Sequence, residues 1–329
     1  MRVLFIGGTG IISSACTALA AERGIELYLL NRGQSWRTAP DEVTRLAGDI
    51  RILKSAQRAI GDLEFDSVVD WVAFTPKHIE NDLELLRGRT GHYIFISSAS
   101  AYQTPPTSLP VTEETPLENP IWQYSRDKIA CEERLVRAHL EEQFPCTIVR
   151  PSHTYDCTLV PPHGGWTIID RMRRGAPVVV HGDGSSVWTL THHRDFAKGL
   201  VGLLGRDDSI GDSFHITSDE WLTWDRIHHI LAQAASTTAD IIHVPSDVIH
   251  GYDQEWGESL LGDKTHSMIF DNSKIKNFVP DFAATIPFSQ GAEEIIAWYD
   301  ADPSRRKIDR ELDRTMDRII DDWRTAFPT

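Results

Sequence analysis

Val3-Leu4-Phe5-Ile6-Gly7-Gly8-Thr9-Gly10-Ile11-Ile12 opens with four apolar residues, breaks into glycines and resumes with isoleucines. An unbroken apolar run of this kind is what a parallel strand covered on both faces looks like. Ile12, Cys16, Leu19 and Arg23 then recur at helical spacing, and Gly24 stands where a C-cap glycine ends a helix. Between strand and helix, glycines let the backbone turn tightly and come close to a diphosphate, which the amides and dipole of the new helix would hold. Gly7, Gly8, Thr9, Gly10, Ile11 and Ile12 are therefore predicted to form a dinucleotide site. Ser13 replaces the third glycine of the usual pattern, where close helix-to-strand packing tolerates only a small residue.

Working outward, residues 26–30 form a second apolar run whose end should meet the adenosine ribose. NAD sites usually place a carboxylate there, whereas a nearby arginine suits a 2'-phosphate. Asn31-Arg32 stands at this point, so the reading is NAD or NADP, with Arg32 favouring NADP. Further strands are expected at 43–47, 66–73 and 93–96, with helices at 53–60 and from Pro76 to about residue 86. This alternation implies an α/β fold, a Rossmann-type doubly wound parallel sheet, with ligands at the carboxyl ends of the strands.

Composition sets the outer limits. The chain has 329 residues, of which 41% are hydrophobic and 25% charged, ordinary values for a globular protein. Thirty-three basic against 48 acidic residues leave a net charge of -15, which opposes non-specific contact with nucleic acid or anionic lipid. Four isolated cysteines, 16, 131, 146 and 157, read as thiols in a reducing, cytoplasmic setting. The chain starts directly on its first strand and carries no apolar run of membrane-spanning length, so neither a signal peptide nor a membrane segment is expected.

The fifth strand ends in Ser97-Ser98-Ala99-Ser100, at the edge where ligands bind. A proline-rich loop leads on to Tyr124 and Lys128, four residues apart and so on one face of a helix, with Cys131, Leu135 and Ala138 continuing the stripe. A lysine so placed favours the phenolate and lowers the tyrosine pKa from about 10, making it a proton donor and acceptor near neutral pH.

With these elements in this order, the chain resembles the extended short-chain dehydrogenase/reductase family, the NAD(P)-dependent epimerase and dehydratase group. The matching features are the glycine loop, Ser98 four residues before Tyr102, Tyr124 with Lys128, Arg150-Pro151, His181-Gly182-Asp183-Gly184 and the helix containing Asp195. The match is good over residues 1–217 and looser beyond. The resemblance implies that Ser98 holds the substrate oxygen, Tyr124 exchanges the proton, and Lys128 binds the nicotinamide ribose while tuning Tyr124. Asp49 and Ile50 would flank the adenine, and Val72 and Ala73 would line the cofactor's path. Within the family, Asn31-Arg32-Gly33 and the stretch from Ser97 to Tyr102 also resemble the atypical branch that includes the chloroplast stem-loop RNA-binding proteins.

The remaining third is expected to supply the substrate side. Two interleaved lobes are predicted: 1–151 plus about 188–217 for the dinucleotide, and about 152–187 plus 218–329 for the substrate. His153 takes the place of an asparagine common in sugar-nucleotide epimerases, and Trp188 that of an arginine which pairs with the substrate diphosphate; both become candidate substrate contacts. Arg171, Arg173 and Arg174 are the alternative sources of that charge. Ala99 and Ser100 stand where family dehydratases carry carboxylates, which disfavours a 4,6-dehydratase. His192-His193-Arg194-Asp195 reads as a helix start rather than a metal site. Ile308, Leu312, Met316, Ile319, Ile320 and Trp323 mark a final amphipathic helix packed on its own body. The expected protein is an NAD(P)-dependent oxidoreductase or epimerase acting on a small sugar-like alcohol or ketone, without metal, a homodimer being compatible with it. The alternative is a non-catalytic or RNA-binding member of the same fold.

Overall fold

In a computed structural model describing residues 1–327, the opening apolar run is strand β1, Arg2–Ile6. Its side chains alternate between two cores. Val3 and Phe5 join a cluster with Cys16, Ala20, Phe196 and Leu200, while Leu4 and Ile6 join another with Ile60, Ile79, Leu83 and Leu135. A strand sandwiched between two helical layers buries both faces, which is why no polar residue interrupts the run. Each such side chain contributes roughly 2 kcal/mol by burial.

Around β1 the chain lays down β2 (Glu26–Asn31), β3 (Thr44–Ala47), β4 (Ser67–Asp70), β5 (Tyr93–Ile96), β6 (Cys146–Pro151) and β7 (Ser213–Ile216). All seven are parallel, in the order β7-β6-β5-β4-β1-β2-β3. Val3 stands beside Leu27 on one side and Ser67 on the other, so the order reverses at β1 and opens a crevice at its carboxyl end. Helix α1 (Ile11–Glu22) and the helix His193–Leu203 cover one face; α2 (Leu53–Ile60), α3 (Pro76–Leu86) and α4 (Gln123–Glu142) cover the other. Gly24 closes α1 with φ +71°, its amide bonded to Ala21 O and that of Ile25 to Ala20 O.

Two further apolar clusters lie outside the sheet's own cores, one reaching back to Ala99, Tyr102 and Val111 and the other built wholly from residues after 167. The last helix, Arg310–Ala326, buries Leu312, Met316, Ile319 and Ile320 against Ile168, Met172 and Val178, with Trp323 half-buried beside them; Ile308, expected in the same stripe, precedes the Asp309 cap and is exposed. Residues 328 and 329, the end of the expected substrate lobe, lie outside the described residues. Three elements have bounds set by local causes, and the first is shorter than expected. Strand 66–73 stops at Asp70 because its Oδ1 accepts the amides of Val72 and Ala73 and turns the chain outward. The helix Trp166–Arg173 starts no earlier because Gly164 and Gly165 take φ of +102° and +56°. The helix Trp224–Ala234 is capped by Thr223 Oγ1 and starts no earlier because Leu222 and Thr223 pair with Trp188 and Val187.

Candidate active site

At the crevice, Gly7 and Gly8 have φ of +107° and +92°, a region that side chains rarely enter. Space forbids a side chain as well, since a Cβ on Gly8 would lie 2.5 Å from Leu29 Cδ2. Thr17 Oγ1 donates to Gly8 O at 2.7 Å, and Gly10 N donates to Ser13 Oγ at 2.7 Å. Ser13 thus gives the turn a cap that glycine could not supply. The cleft above has a volume of about 800 Å³. Every residue from Gly7 to Ile12 lines it, with Asn31, Arg32, Asp49, Ile50 and Val72. Ala73 does not line it; this residue is buried, and its contribution is a backbone carbonyl turned toward Lys128. Arg32 is exposed and makes no side-chain hydrogen bond or ion pair among the described residues. Sequence reasoning missed Arg51 and Phe74, which line the same cleft. The Arg51 guanidinium donates to Val72 O and lies 5.9 Å from the centre of the Phe74 ring. A second arginine two residues after Asp49 was the available signal.

The serines after β5 divide their work. Ser97 is buried and donates to Glu132, which is paired with Arg150 at 2.6 Å. Ser98 faces the cleft and belongs to a chain of hydroxyls, 2.9 Å to Ser100 Oγ, which accepts from Ser125 Oγ at 2.9 Å. Tyr124 and Lys128, one turn apart on α4, face the same cleft. Lys128 is only 2% exposed, and its Nζ donates to Ala73 O at 2.7 Å and Ile96 O at 2.8 Å. Burial pushes its ammonium down to about 8.

The expected lowering of the Tyr124 pKa by Lys128 is not what the structure shows. Burial pushes the phenol up to about 12, eased in part by the Ser98 hydroxyl. The ammonium lies 5.9 Å from the ring centre and spends its hydrogen bonds on two carbonyls, so desolvation prevails.

Beyond Tyr124 the cleft meets a smaller cavity of about 260 Å³. Ser98, Ser100, Trp122 and Tyr124 line one part of it, and His153, Trp188, Asp263 and Lys264 contribute others. The His153 ring has no hydrogen bond among the described residues, and burial pushes it down to about 3. Trp188 fills core, 5.9 Å from Trp224 between ring centres, while reaching the cavity wall. Its buried Nε1 has no hydrogen-bond partner among the described residues.

The three arginines considered as alternative charge sources stand elsewhere. Arg171 is fully buried against Asp313 and Asp317, Arg173 pairs with Asp300 at 2.7 Å, and Arg174 pairs with Asp170 and Asp313. His192 caps its helix by accepting from Arg194 N at 3.2 Å, and the buried Asp195 accepts from Lys198 and Ile286 N. Sequence reasoning also missed Asp263 and Lys264, for which no local pattern gave a signal. Among the described residues, no helix is long and apolar enough to cross a membrane.

A seven-stranded parallel sheet with a glycine-lined cleft at its switch point defines a Rossmann-like α/β protein built for a dinucleotide. More narrowly, the chain belongs to the NAD dependent epimerase/dehydratase family, whose profile matches residues 3–216. It is similar to the 2'-dehydrokanamycin reductase of Streptomyces kanamyceticus, with 28% identity over 256 residues, 71% of this chain and 67% of that one. It is also similar to the chloroplast stem-loop binding protein of 41 kDa b of Arabidopsis thaliana, with 25% identity over 257 residues, 74% of this chain and 65% of that one. The match therefore spans about two thirds of those relatives' length. Among solved structures, the epimerase Mth375 of Methanothermobacter thermautotrophicus superposes with a TM-score of 0.75 at 18% identity, covering 95% of this chain and 94% of that one. The UDP-glucose 4-epimerase of Bifidobacterium longum, in complex with NAD+ and UDP, gives 0.72 at 19%, covering 93% and 100%. At such identities the likeness is one of fold.

Proposed function

We propose that this protein is an NAD(P)-dependent oxidoreductase that reduces a small sugar-like ketone. The carrying observation is that Ser98 and Tyr124 face both the glycine-lined cleft and the small cavity, with Lys128 one turn behind in the cleft. A nicotinamide held in the cleft would supply the hydride. Ser98 would hold the ketone oxygen. Tyr124, kept as the neutral phenol by burial, would donate the proton to that oxygen. The Ser100 and Ser125 hydroxyls, hydrogen-bonded in line with Ser98, would hold it in position. The likeness to a reductase supports this direction of reaction.

Size and charge favour a small substrate over a sugar nucleotide. Drug-sized ligands fill pockets of about 300–1,000 Å³, so a cavity of about 260 Å³ suits one sugar ring. The candidate arginines that might hold a diphosphate are committed to carboxylates. Arg32 and Arg51 on the cleft, with no carboxylate at the end of β2, favour NADP over NAD. The buried thiols of Cys16, Cys131 and Cys146 suit a reducing, cytoplasmic setting. The proposed division keeps residues 1–151 and about 188–217 for the dinucleotide and the rest for the substrate.

Mass spectrometry of the dinucleotide retained on native purification, with fluorescence titration of NADPH and NADH, tests the reading. Calorimetry with UDP-galactose should give a Kd above about 1 mM, roughly 4 kcal/mol or less of binding free energy. Micromolar binding would restore a sugar-nucleotide epimerase. The likeness to a stem-loop binding protein supports a second reading, which the net charge of -15 opposes. Salt-sensitive RNA binding without nicotinamide binding would establish that reading instead.

A further inference from the structure

One ion pair stands on the wall of the small cavity: Lys264 Nζ lies 3.1 Å from Asp263 Oδ2. Both residues belong to a π-helical turn, Leu260–Lys264, that follows the helix Gln254–Ser259. Such turns are rare and gather at functional sites. This one is fastened from two sides. Asn119 Nδ2 donates to Gly262 O at 2.6 Å and to Ser100 O at 3.3 Å, while its Oδ1 accepts from Trp122 N at 2.9 Å. A Cβ on Gly262 would lie 2.6 Å from Trp122 Cβ, so turn and loop touch backbone to backbone. On the other side, Lys264 O accepts from His181 Nε2 at 3.0 Å. The turn is thereby locked to the residues just before Tyr124.

The groups this lock presents have spare hydrogen-bonding capacity. Asp263 is 8% exposed, and Lys264 is its only side-chain partner among the described residues, although a carboxylate can accept about four hydrogen bonds. The His153 ring reaches the same cavity with no hydrogen bond among the described residues, whereas the Trp188 indole N–H is buried in the core and offers the cavity only its apolar face. Burial and the charge of Lys264 keep His153 neutral, free to donate from one nitrogen and accept at the other.

Charge then selects the substrate class. Lys264 cancels the pull that Asp263 would exert on an ammonium group, and Asp263 cancels the pull of Lys264 on a phosphate. Acceptors and donors side by side remain, which is the pattern that neighbouring hydroxyls satisfy. We propose that the Asp263–Lys264 pair is the recognition element of this cavity, and that it takes an uncharged polyhydroxylated ring whose adjacent hydroxyls bridge the two side chains. The inference rests on the reading of the cavity as the substrate site.

Three forms of one ring test it: methyl β-D-glucopyranoside, glucosamine and glucose 6-phosphate, each titrated by saturation-transfer NMR with saturating NADP+ or NAD+. The neutral glucoside should bind most tightly in the natural protein. Asp263→Asn should weaken it by roughly tenfold, the scale of a lost hydrogen bond to a charged group. Lys264→Met, which frees the carboxylate, should turn the preference toward glucosamine. Dinucleotide binding of both variants should stay at the natural value, even though loss of a largely buried ion pair lowers the melting temperature. A tighter charged ring in the natural protein, an unchanged Asp263→Asn, or no ring binding while the dinucleotide binds would each overturn the inference. Failure of both dinucleotides to bind would overturn the underlying reading, and the inference with it.

Discussion

The glycine-lined cleft, proposed for the dinucleotide, and the small cavity, proposed for the substrate, share Ser98 and Tyr124, yet they are built by different means. The cleft begins in one continuous turn, Gly7 to Ile12, whose backbone shape is its function. The cavity gathers side chains from around 98–100, 122–124, 152–154, 188 and 263–270, brought together only by the finished fold. A backbone-built site resists change because a substitution alters the chain path itself. A side-chain-built site can change specificity one residue at a time. The two regions should therefore answer mutation differently, and their border should answer most.

The largest effect is expected at that border. Removing the Tyr124 hydroxyl leaves ring packing intact but takes away the positioned proton donor, which typically costs about two to four powers of ten in rate. Tyr124→Phe should thus lose turnover while keeping its melting temperature and cofactor affinity. Full turnover on an identified substrate would remove Tyr124 from the chemistry. A fallen melting temperature would break the comparison, since this side chain would then hold the fold as well.

Inside the cleft, Gly8→Ala should do the opposite. A Cβ at φ +92°, 2.5 Å from Leu29 Cδ2, strains the backbone and displaces a core leucine. Strain and overpacking each cost about 1–3 kcal/mol. Stability and dinucleotide affinity should fall together, measured by denaturant unfolding and NADPH titration. If affinity fell with stability intact, or the reverse, the turn would not be one unit.

The third expectation sharpens the border further. Burial pushes the Lys128 ammonium down to about 8. Its charge is then nearly complete a unit or two below that pH, half lost at it and absent well above it. If the charge assists reduction, kcat/KM should decline above pH 8, by about tenfold per pH unit where this group alone controls the rate. Lys128→Arg keeps the charge throughout this range and should remove the decline. A decline that survives in this variant belongs to another group.

The difference in construction also explains what could be read from sequence. Parallel strands buried on both faces advertise themselves as apolar runs, and positive φ advertises itself as glycine, so the sheet and the tight glycine turn were legible. Ser98 could be told from Ser97 only through its spacing from Tyr102; the structure gives Ser97 a buried partner, Glu132, and leaves Ser98 on the cleft. The relation of Lys128 to Tyr124 was half legible. Helical spacing puts them on one face, but it cannot reveal the carbonyls of Ala73 and Ile96 that take up the ammonium. Asp263 and Lys264 were not legible, because they reach the cavity through Asn119, some 143 residues from Gly262 along the chain. A contact that distant leaves no local period.

The smallest effect should come from the outer end of the cleft, at Arg32. Its guanidinium is exposed, has no partner among the described residues, and lines the cleft at the end of β2, where no carboxylate opposes a phosphate. A charge-assisted bond to a 2'-phosphate is among the stronger polar contacts, but exposure to water and salt reduces its worth. Arg51 shares the cleft and would keep part of any phosphate affinity after Arg32 is removed. Arg32→Ala should therefore weaken NADP by about tenfold or less, near 1.4 kcal/mol, and leave NAD almost unchanged. The double variant with Arg51→Ala should lose more NADP affinity than Arg32→Ala alone. Because the affected contact is electrostatic, the NADP deficit should shrink as salt is raised, which a loss of packing would not do. Equal loss for NAD and NADP would mean that Arg32 shapes the cleft rather than reads the phosphate. No loss for either would make it an ordinary surface residue and leave Arg51 as the remaining cation for that end of the cofactor.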